Sequence, residues 1–503
     1  MNIAMLLDMA SEAFGDRTAV VCGDQSLTFA ELRTQAQRAA QQFQASGAQY
    51  VALLDTNGPV LPVAIFGAAY AGVPYVPLNY RLTTSEINEL LDRVKPALLV
   101  HGAEFADRVT NPEGLTLMDS QDLLALSEDG EEIDGALVDP ESTAVQLFTS
   151  GTTGKPKAAL LKHENLTSYI LGTVEFGSAE ETDGVLVTVP PYHVAGIAAV
   201  LSSTYACRRM VQIESFDPEL WLKTCREQQC SSGFLVPTMI GRIVDYLDEK
   251  GEALNAPSLK AIAYGGGKMP LATIQRAMEL FEGVDFTNAY GLTETSSTIV
   301  VLTPDDHRTA AASDDPKVAA RLGSAGQPTG AIEIEIRDDN GKALGPNELG
   351  MIYVRGGQVA GEYKEQGSQL DGDGWFCTKD LGYFDDENYL FIDGRADDVI
   401  VRGAENISPG EVEDVLREHA AVADVAVAAM PDEEWGEAVA AAVVLKAGES
   451  VSAEELQALV RERLRSSRVP QTIIFKDELP YNDMGKVLRR VIRQEFADLV
   501  EAA

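Results

Sequence analysis

The chain has 503 residues, room for roughly three average domains or for one large and one small. Its 45% apolar and 23% charged residues fit a globular protein, and 78 Asp+Glu against 40 Lys+Arg give a net charge of −38, which disfavours nucleic acid as a partner. The cysteines Cys22, Cys207, Cys225, Cys230 and Cys377 are scattered without a CxxC pair, and the opening MNIAMLLDMA lacks a basic lead-in and a cleavage site, so we expect a reducing cytoplasm, no structural metal and no export signal.

Along the chain, β-rich apolar runs alternate with amphipathic segments, which predicts α/β architecture. Capping boxes mark helix starts at Thr28…Glu31, Ser408…Glu411 (with Pro409 at the first helical position) and Ser452…Glu455. The nearly uncharged run PVLPVAIFGAAYAGVPYVPLNY, residues 59–80, is broken by prolines and reads as a buried helix followed by a core strand, with no membrane span. Turn-rich stretches near 304–330 and 338–350 read as surface connections, and 371–395 as a hairpin. The texture changes near 393–400, beyond which about 100 residues of α+β alternation predict a small second domain. Within it, residues 461–493 hold nine Lys/Arg against four Asp/Glu. Such a run is either a solvated helix face or an anion-facing surface; the glycine–lysine pair in NDMGKVLRR, residues 482–490, favours the second.

The stretch FTSGTTGKPKAAL, residues 148–160, asks for a chemical explanation. Phosphates need clustered donors, close backbone approach and positive charge. Thr149, Ser150, Thr152 and Thr153 supply hydroxyls, Gly151 and Gly154 clearance, and Lys155 and Lys157 charge. Only two residues separate the glycines, so this is not a Walker loop. Read alone, a flexible surface turn explains it as well.

With six further segments in order the stretch resembles the phosphate-binding signature of the adenylate-forming superfamily, which includes acyl-CoA synthetases. These segments are PPYHVAG (190–196), YGGGKMP (264–270), NAYGLTETSS (288–297), WFCTKDLG (375–382), DGRADDVIVRGAENISPGEVE (393–413) and GKVLRR (485–490). The resemblance implies a large N-terminal domain, 1–396, of stacked β-sheets with helices and a distorted β-barrel, and a small mobile α+β domain, 397–503, hinged at Asp397. It implies ATP, Mg²⁺ and coenzyme A as cofactors and a carboxylic acid as substrate. The loop Thr149, Ser150, Gly151, Thr152, Thr153, Gly154 and Lys157 would hold the β- and γ-phosphates. Thr293 would meet the α-phosphate and Glu294 the magnesium ion, a hard cation that prefers oxygen. Gly265, Gly266, Gly267, Asn288, Ala289, Tyr290 and Gly291 would receive adenine. Asp380 would bind the ribose hydroxyls, with Arg395 beside it. Lys486 would bridge the attacking carboxylate and the α-phosphate, where charge develops. Rotation about Asp397 would then bring Arg402, Gly403 and Ala404 to a thiol tunnel shared with the acyl-pocket residues His193, Val194, Gly196 and Val236. Trp435 would stack on the CoA adenine; packing is the alternative for Trp435 and for His193, and an ordinary turn residue for Asp397.

Three positions depart from the pattern: Ala158, Lys379 and Ala404 stand where these motifs commonly have glycine, and ordinary backbone angles are expected there. The pocket stretches 192–200, 233–239 and 265–267 carry neither cations nor acids, which favours a hydrophobic monocarboxylate over a malonate-like diacid or an amino acid. The expected activity is AMP-forming acyl-CoA ligation. A carrier-protein phosphopantetheine stays open as acceptor, a homodimer as assembly, and a non-catalytic nucleotide-binding regulator as the reading from another class.

Overall fold

Two mixed sheets organise the N-terminal part of the computed structural model, which describes residues 1–127, 130–149, 156–403, 405–433, 435–482 and 486–501. The chain forms two compact units. One comprises Met1–Glu333 with Val354–Phe376, the other Ile334–Tyr353 with Cys377 onward.

In the first unit, parallel strands Thr18–Cys22, Arg209–Gln212, Gly184–Val187, Ser232–Leu235, Ala261–Gly265 and Asp285–Leu292 lie side by side in that order. A parallel arrangement needs helical crossovers covering the sheet, and the helices Val194–Tyr205, Pro218–Glu227 and Pro237–Lys250 supply them. The other sheet has parallel strands Thr143–Thr149, Tyr75–Pro77, Tyr50–Leu54, Ala97–His101 and Leu115–Asp119, extended by antiparallel Lys157–Lys162 and Glu362–Tyr363. The uncharged run is a helix, Val60–Ala71, buried from Val60 to Tyr70, and then the buried strand Tyr75–Pro77. Gly72, in the left-handed region at φ +72°, ends that helix.

The second unit contains an antiparallel hairpin, the strand Phe376–Phe384 from its second residue onward with Leu390–Arg395, and a sheet centred on the pair Val422–Asp432 and Gly436–Leu445. The two-residue period of those strands sorts their faces. Val425, Val427, Val439, Ala441 and Val443 pack with Val412, Leu416, Leu456 and Val460, while the small Ala426, Ala428, Ala440 and Ala442 receive Ile492 and Phe496 of the last helix.

Local chemistry departs from the sequence reading at several points. The stretch 304–330, read as surface connection, holds the helix Pro304–Ala312. Its capping box is Thr303 with Asp306 and it has proline at its start. Ser408 does not cap its helix: its hydroxyl donates to the Asp393 carbonyl at 3.2 Å, and Glu411 accepts from Arg468 at 3.0 Å. A charge-assisted bond outcompetes the local backbone contact. Thr28 forms its capping box in full, and Ser452 accepts from the Glu455 amide at 3.1 Å.

The basic run is neutralised within its own unit at five positions, which reduces the expected anion-facing surface. Arg463 pairs with Glu418, Arg468 with Glu405 and Glu411, Lys476 with Glu495, Arg489 with Glu413, and Arg493 with Glu437.

Lys379 overturns the expectation of ordinary angles: it sits in strand Phe376–Phe384 at φ +62°, a region that costs a side-chain-bearing residue about 1–2 kcal/mol. Lys379→Gly is therefore expected to stabilise the protein by up to about 1 kcal/mol after the glycine's unfolded-state entropy is deducted. Lys379→Ala, which keeps Cβ, is expected to gain nothing. Urea unfolding midpoints check both, and equal midpoints for the two variants would show that no strain is stored there.

Candidate active site

The first unit gathers its expected site residues at the carboxyl ends of parallel strands, where open α/β sheets place their ligands. His193, Val194 and Gly196 follow strand Gly184–Val187, Val236 follows Ser232–Leu235, Gly265–Gly267 close Ala261–Gly265, and Asn288–Gly291 end the neighbouring strand. Gly265 pairs with Ala289, and a Cβ on Gly265 would run into the Ala289 carbonyl oxygen, so only glycine allows that approach. His193 precedes the helix Val194–Tyr205 and continues an aromatic row. Its ring lies 4.6 Å from that of Tyr192, which meets Tyr80 edge-on at 5.3 Å.

Thr149 and Lys157 face each other where the antiparallel strands Thr143–Thr149 and Lys157–Lys162 meet. Ser150, Gly151, Thr152, Thr153 and Gly154, with Lys155, lie outside the described residues, as does Ala404. What fixes the ends of that connection is visible. The Arg93 guanidinium lies 4.7 Å from the Phe148 ring centroid, donates to the Pro156 carbonyl at 2.8 Å and pairs with Glu365. Arg93 thus holds both the entry and the exit of the loop.

Thr293 and Glu294 occupy a single helical turn, Thr293–Thr295. The Glu294 carbonyl accepts from the amides of Ala360 at 2.8 Å and Gly361 at 3.2 Å, and its carboxylate accepts from the Tyr363 hydroxyl. Tyr363 pairs with Ala159 in the sheet, and the Lys157 ammonium lies 5.2 Å from its ring centroid. One tyrosine therefore orients both the carboxylate and the lysine. The backbone just after Glu294 is strained, with Ser296 at φ +55° and Ser297 at φ +118°, and Gln358 donates to the Thr295 carbonyl at 3.0 Å and the Thr298 carbonyl at 2.8 Å across it. Tyr363, Arg93 and Glu365 escaped the sequence reading. The only sequence signal is that 362–365 has an aromatic and three charges after a glycine.

In the second unit Asp380 is buried and lies opposite Arg395 on the hairpin, accepting from Arg395 Nη1 at 2.8 Å; the same nitrogen donates to the Thr378 carbonyl at 2.9 Å. Asp397 lies in the turn Ala396–Asp398 between that hairpin and strand Ile400–Arg402. Lys486 is exposed. Its amide donates to Asn482 Oδ1 and its carbonyl accepts from the Asn482 amide, each at 2.8 Å. Arg402, Gly403 and Trp435 cluster, with Gly403 donating to the Trp435 carbonyl at 2.8 Å. Among the described residues no three metal-ligating side chains converge, and no helix is long and apolar enough to cross a membrane.

The sequence profile of the AMP-binding enzyme family matches residues 7–364, and that of the AMP-binding enzyme C-terminal domain matches 411–486. The chain belongs to the AMP-binding enzymes. This adenylate-forming α/β fold is shared over nearly the whole length of its relatives. The 2-succinylbenzoate–CoA ligase of Bacillus licheniformis is 32% identical, covering 96% of this chain and 98% of that one. A feruloyl-CoA synthase of Amycolatopsis sp. is 31% identical, covering 95% and 96%. The o-succinylbenzoate CoA synthetase of Bacillus subtilis, solved in complex with the acyl-adenylate intermediate OSB-AMP, superposes with a TM-score of 0.84 at 30% identity over 97% of each chain. It has also been solved in complex with ATP and magnesium ion (TM-score 0.81, 30% identity, 96% of this chain and 98% of that one).

Replacing Arg93 with alanine removes a charge-assisted bond and the cation over Phe148, together worth about 1.5–3 kcal/mol. Arg93→Ala is expected to raise the KM for ATP about tenfold or more, with Arg93→Lys recovering part of it. Initial rates against ATP concentration check this, and an unchanged KM would show that Arg93 only stabilises the fold.

Proposed function

We propose that this chain is an AMP-forming acid–thiol ligase that activates a hydrophobic monocarboxylic acid as its acyl-adenylate, releasing pyrophosphate, and then passes the acyl group to coenzyme A, releasing AMP. The observation that carries the reading is the one tyrosine that orients both Lys157 and Glu294, in a chain that matches CoA ligases from end to end.

The chemistry assigned to each group follows from charge. A carboxylate and a triphosphate repel each other, so the barrier is lowered by neutralisation and positioning. Lys157 and the hydroxyl-rich loop 149–154 bind the β- and γ-phosphates, and Thr293 the α-phosphate. Glu294 would hold Mg²⁺, a hard cation suited to carboxylate oxygen, which would supply charge neutralisation when bound. A Glu294 carboxylate already oriented by Tyr363 fits that demand. Asn288–Gly291 and Gly265–Gly267 receive adenine, and Asp380, held by Arg395, binds the ribose. Lys486 offsets the charge of the attacking carboxylate. Residues 397–503, hinged at Asp397, then exchange Lys486 for the segment 402–404, which with His193, Val194, Gly196 and Val236 admits the thiol, and Trp435 meets the CoA adenine. A phosphopantetheine-bearing carrier protein offers the same thiol arm. The five unpaired cysteines fit work in the cytoplasm.

The acid class rests on pocket stretches without cations, although 2-succinylbenzoate, named for one relative, carries two carboxylates and ferulate one. Pyrophosphate exchange over aromatic, medium-chain and dicarboxylic acids is expected to favour the apolar monocarboxylates. Preference for a diacid would overturn the substrate class, and ADP in place of AMP the whole reading. Lys486→Ala is expected to lower exchange by about 10²–10³-fold. It should leave thioester formation from supplied acyl-adenylate within a few-fold of wild type; equal loss of both steps would rule out the exchange of Lys486 for that segment.

A further inference from the structure

Trp435 is 44% exposed, an unusual setting for a large aromatic ring. What it touches accounts for it. Strand Ile400–Arg402 pairs with Glu405–Ile407, and Arg402 faces both Glu405 and Gly436, the residue after the tryptophan. The indole lies across that turn. The Arg402 guanidinium carbon is 5.3 Å from the ring centroid; Arg402 Nη1 donates to the Ser467 carbonyl at 3.4 Å, while the buried Nε has no hydrogen-bond acceptor among the described residues, so the cation is shared between that carbonyl and the ring face. Gly403 sits at φ +62°, where a side chain is strained. A Cβ there would come within 3.1 Å of indole Cε3 and 3.6 Å of Cζ3. The Gly403 amide donates to the Trp435 carbonyl at 2.8 Å, while the Trp435 amide is held by Asp432 Oδ1 at 2.8 Å. In the strand Gly436–Leu445 that follows the tryptophan, Glu437 accepts from the Val401 amide at 2.7 Å and pairs with Arg493.

The geometry points to Trp435 as a positioning residue for the thioester step. Its indole sets the backbone of the Arg402–Gly403 turn, which the proposed function puts around the pantetheine arm, independently of any contact between that ring and the nucleotide end of CoA. This rests on the ligase reading above. The two roles separate by acceptor. Stacking on adenine acts only when the thiol carries a nucleotide, whereas a misplaced turn slows every thiol that uses the tunnel. Small misplacements in such a site cost one to two orders of magnitude in rate.

The experiment measures thioester formation from supplied acyl-adenylate with CoA and with pantetheine, which lacks the nucleotide, for wild type, Trp435→Ala and Trp435→Phe. Positioning predicts that Trp435→Ala lowers kcat about tenfold or more with both thiols. Trp435→Phe, which keeps a ring against Gly403 and Arg402, should recover most of it, with pyrophosphate exchange within twofold of wild type throughout. An unchanged pantetheine rate with a raised KM for CoA alone would overturn the proposal and leave Trp435 as a nucleotide contact. Loss of pyrophosphate exchange in both variants would also overturn it, since the ring would then serve the fold at large. If wild type forms thioester with neither thiol, the ligase reading itself fails and this proposal falls with it.

Discussion

A lysine that is to meet a phosphate must be held by something that leaves its charge intact. In a chain with a net charge of −38 that constraint is severe, because carboxylates are the commonest partners on offer. Among the described residues Lys157 has no carboxylate within salt-bridge reach and is steadied by the face of Tyr363, whose quadrupole attracts the ammonium without cancelling it. The same tyrosine donates its hydroxyl to Glu294, so the cation and the anion that the proposed function assigns to phosphate chemistry share one ring. Five cations of residues 461–493 show the opposite outcome: each is paired with a carboxylate of its own unit and acts as structure.

The sheets supply what charge alone cannot, a fixed origin for these groups. Parallel strands end together, so the loops after residues 187, 235, 265 and 292 open at one edge. Close backbone approach then demands glycine at particular points. A side chain at Gly291 would strike the Ser297 carbonyl, and one at Gly196 would lie 2.9 Å from the Pro190 carbonyl. Backbone strain occurs in each unit. Ser296, Ser297 and Lys379 all hold left-handed backbone, the first two just after Glu294 and the third just before Asp380, which places strain next to residues of the proposed site.

Much of this was legible in the sequence because the chemistry is written in short motifs. The ordered segments pointed to the family whose profiles match 7–364 and 411–486, and the buried helix after residue 59 follows from local pattern, while most of the loop 149–157 lies outside the described residues. Tyr363, Arg93 and Glu365 were not legible, since they reach the site through sheet pairing and side-chain contacts between distant segments, and no local rule flags a lone tyrosine or arginine. The helix after Thr303 was missed for a different reason. Its proline and acidic residues resemble a turn, yet proline at the first helical position and Asp306 back to Thr303 are the signature of a helix start. At Ser408 the local rule was followed and lost to a longer-range ion pair, and at Lys379 the residue type suggested an ordinary angle that the strand does not adopt. Local reading fails where tertiary partners outbid local ones.

The central claim is that a carboxylate oxygen of the acid attacks the α-phosphorus of ATP and that AMP later leaves with that oxygen attached. Turnover of an acid labelled with ¹⁸O in its carboxylate, in the presence of CoA, followed by mass analysis of the nucleotide product, tests it directly. The account predicts AMP carrying one ¹⁸O atom for each thioester made. Unlabelled AMP, or label in inorganic phosphate alongside ADP, would contradict it.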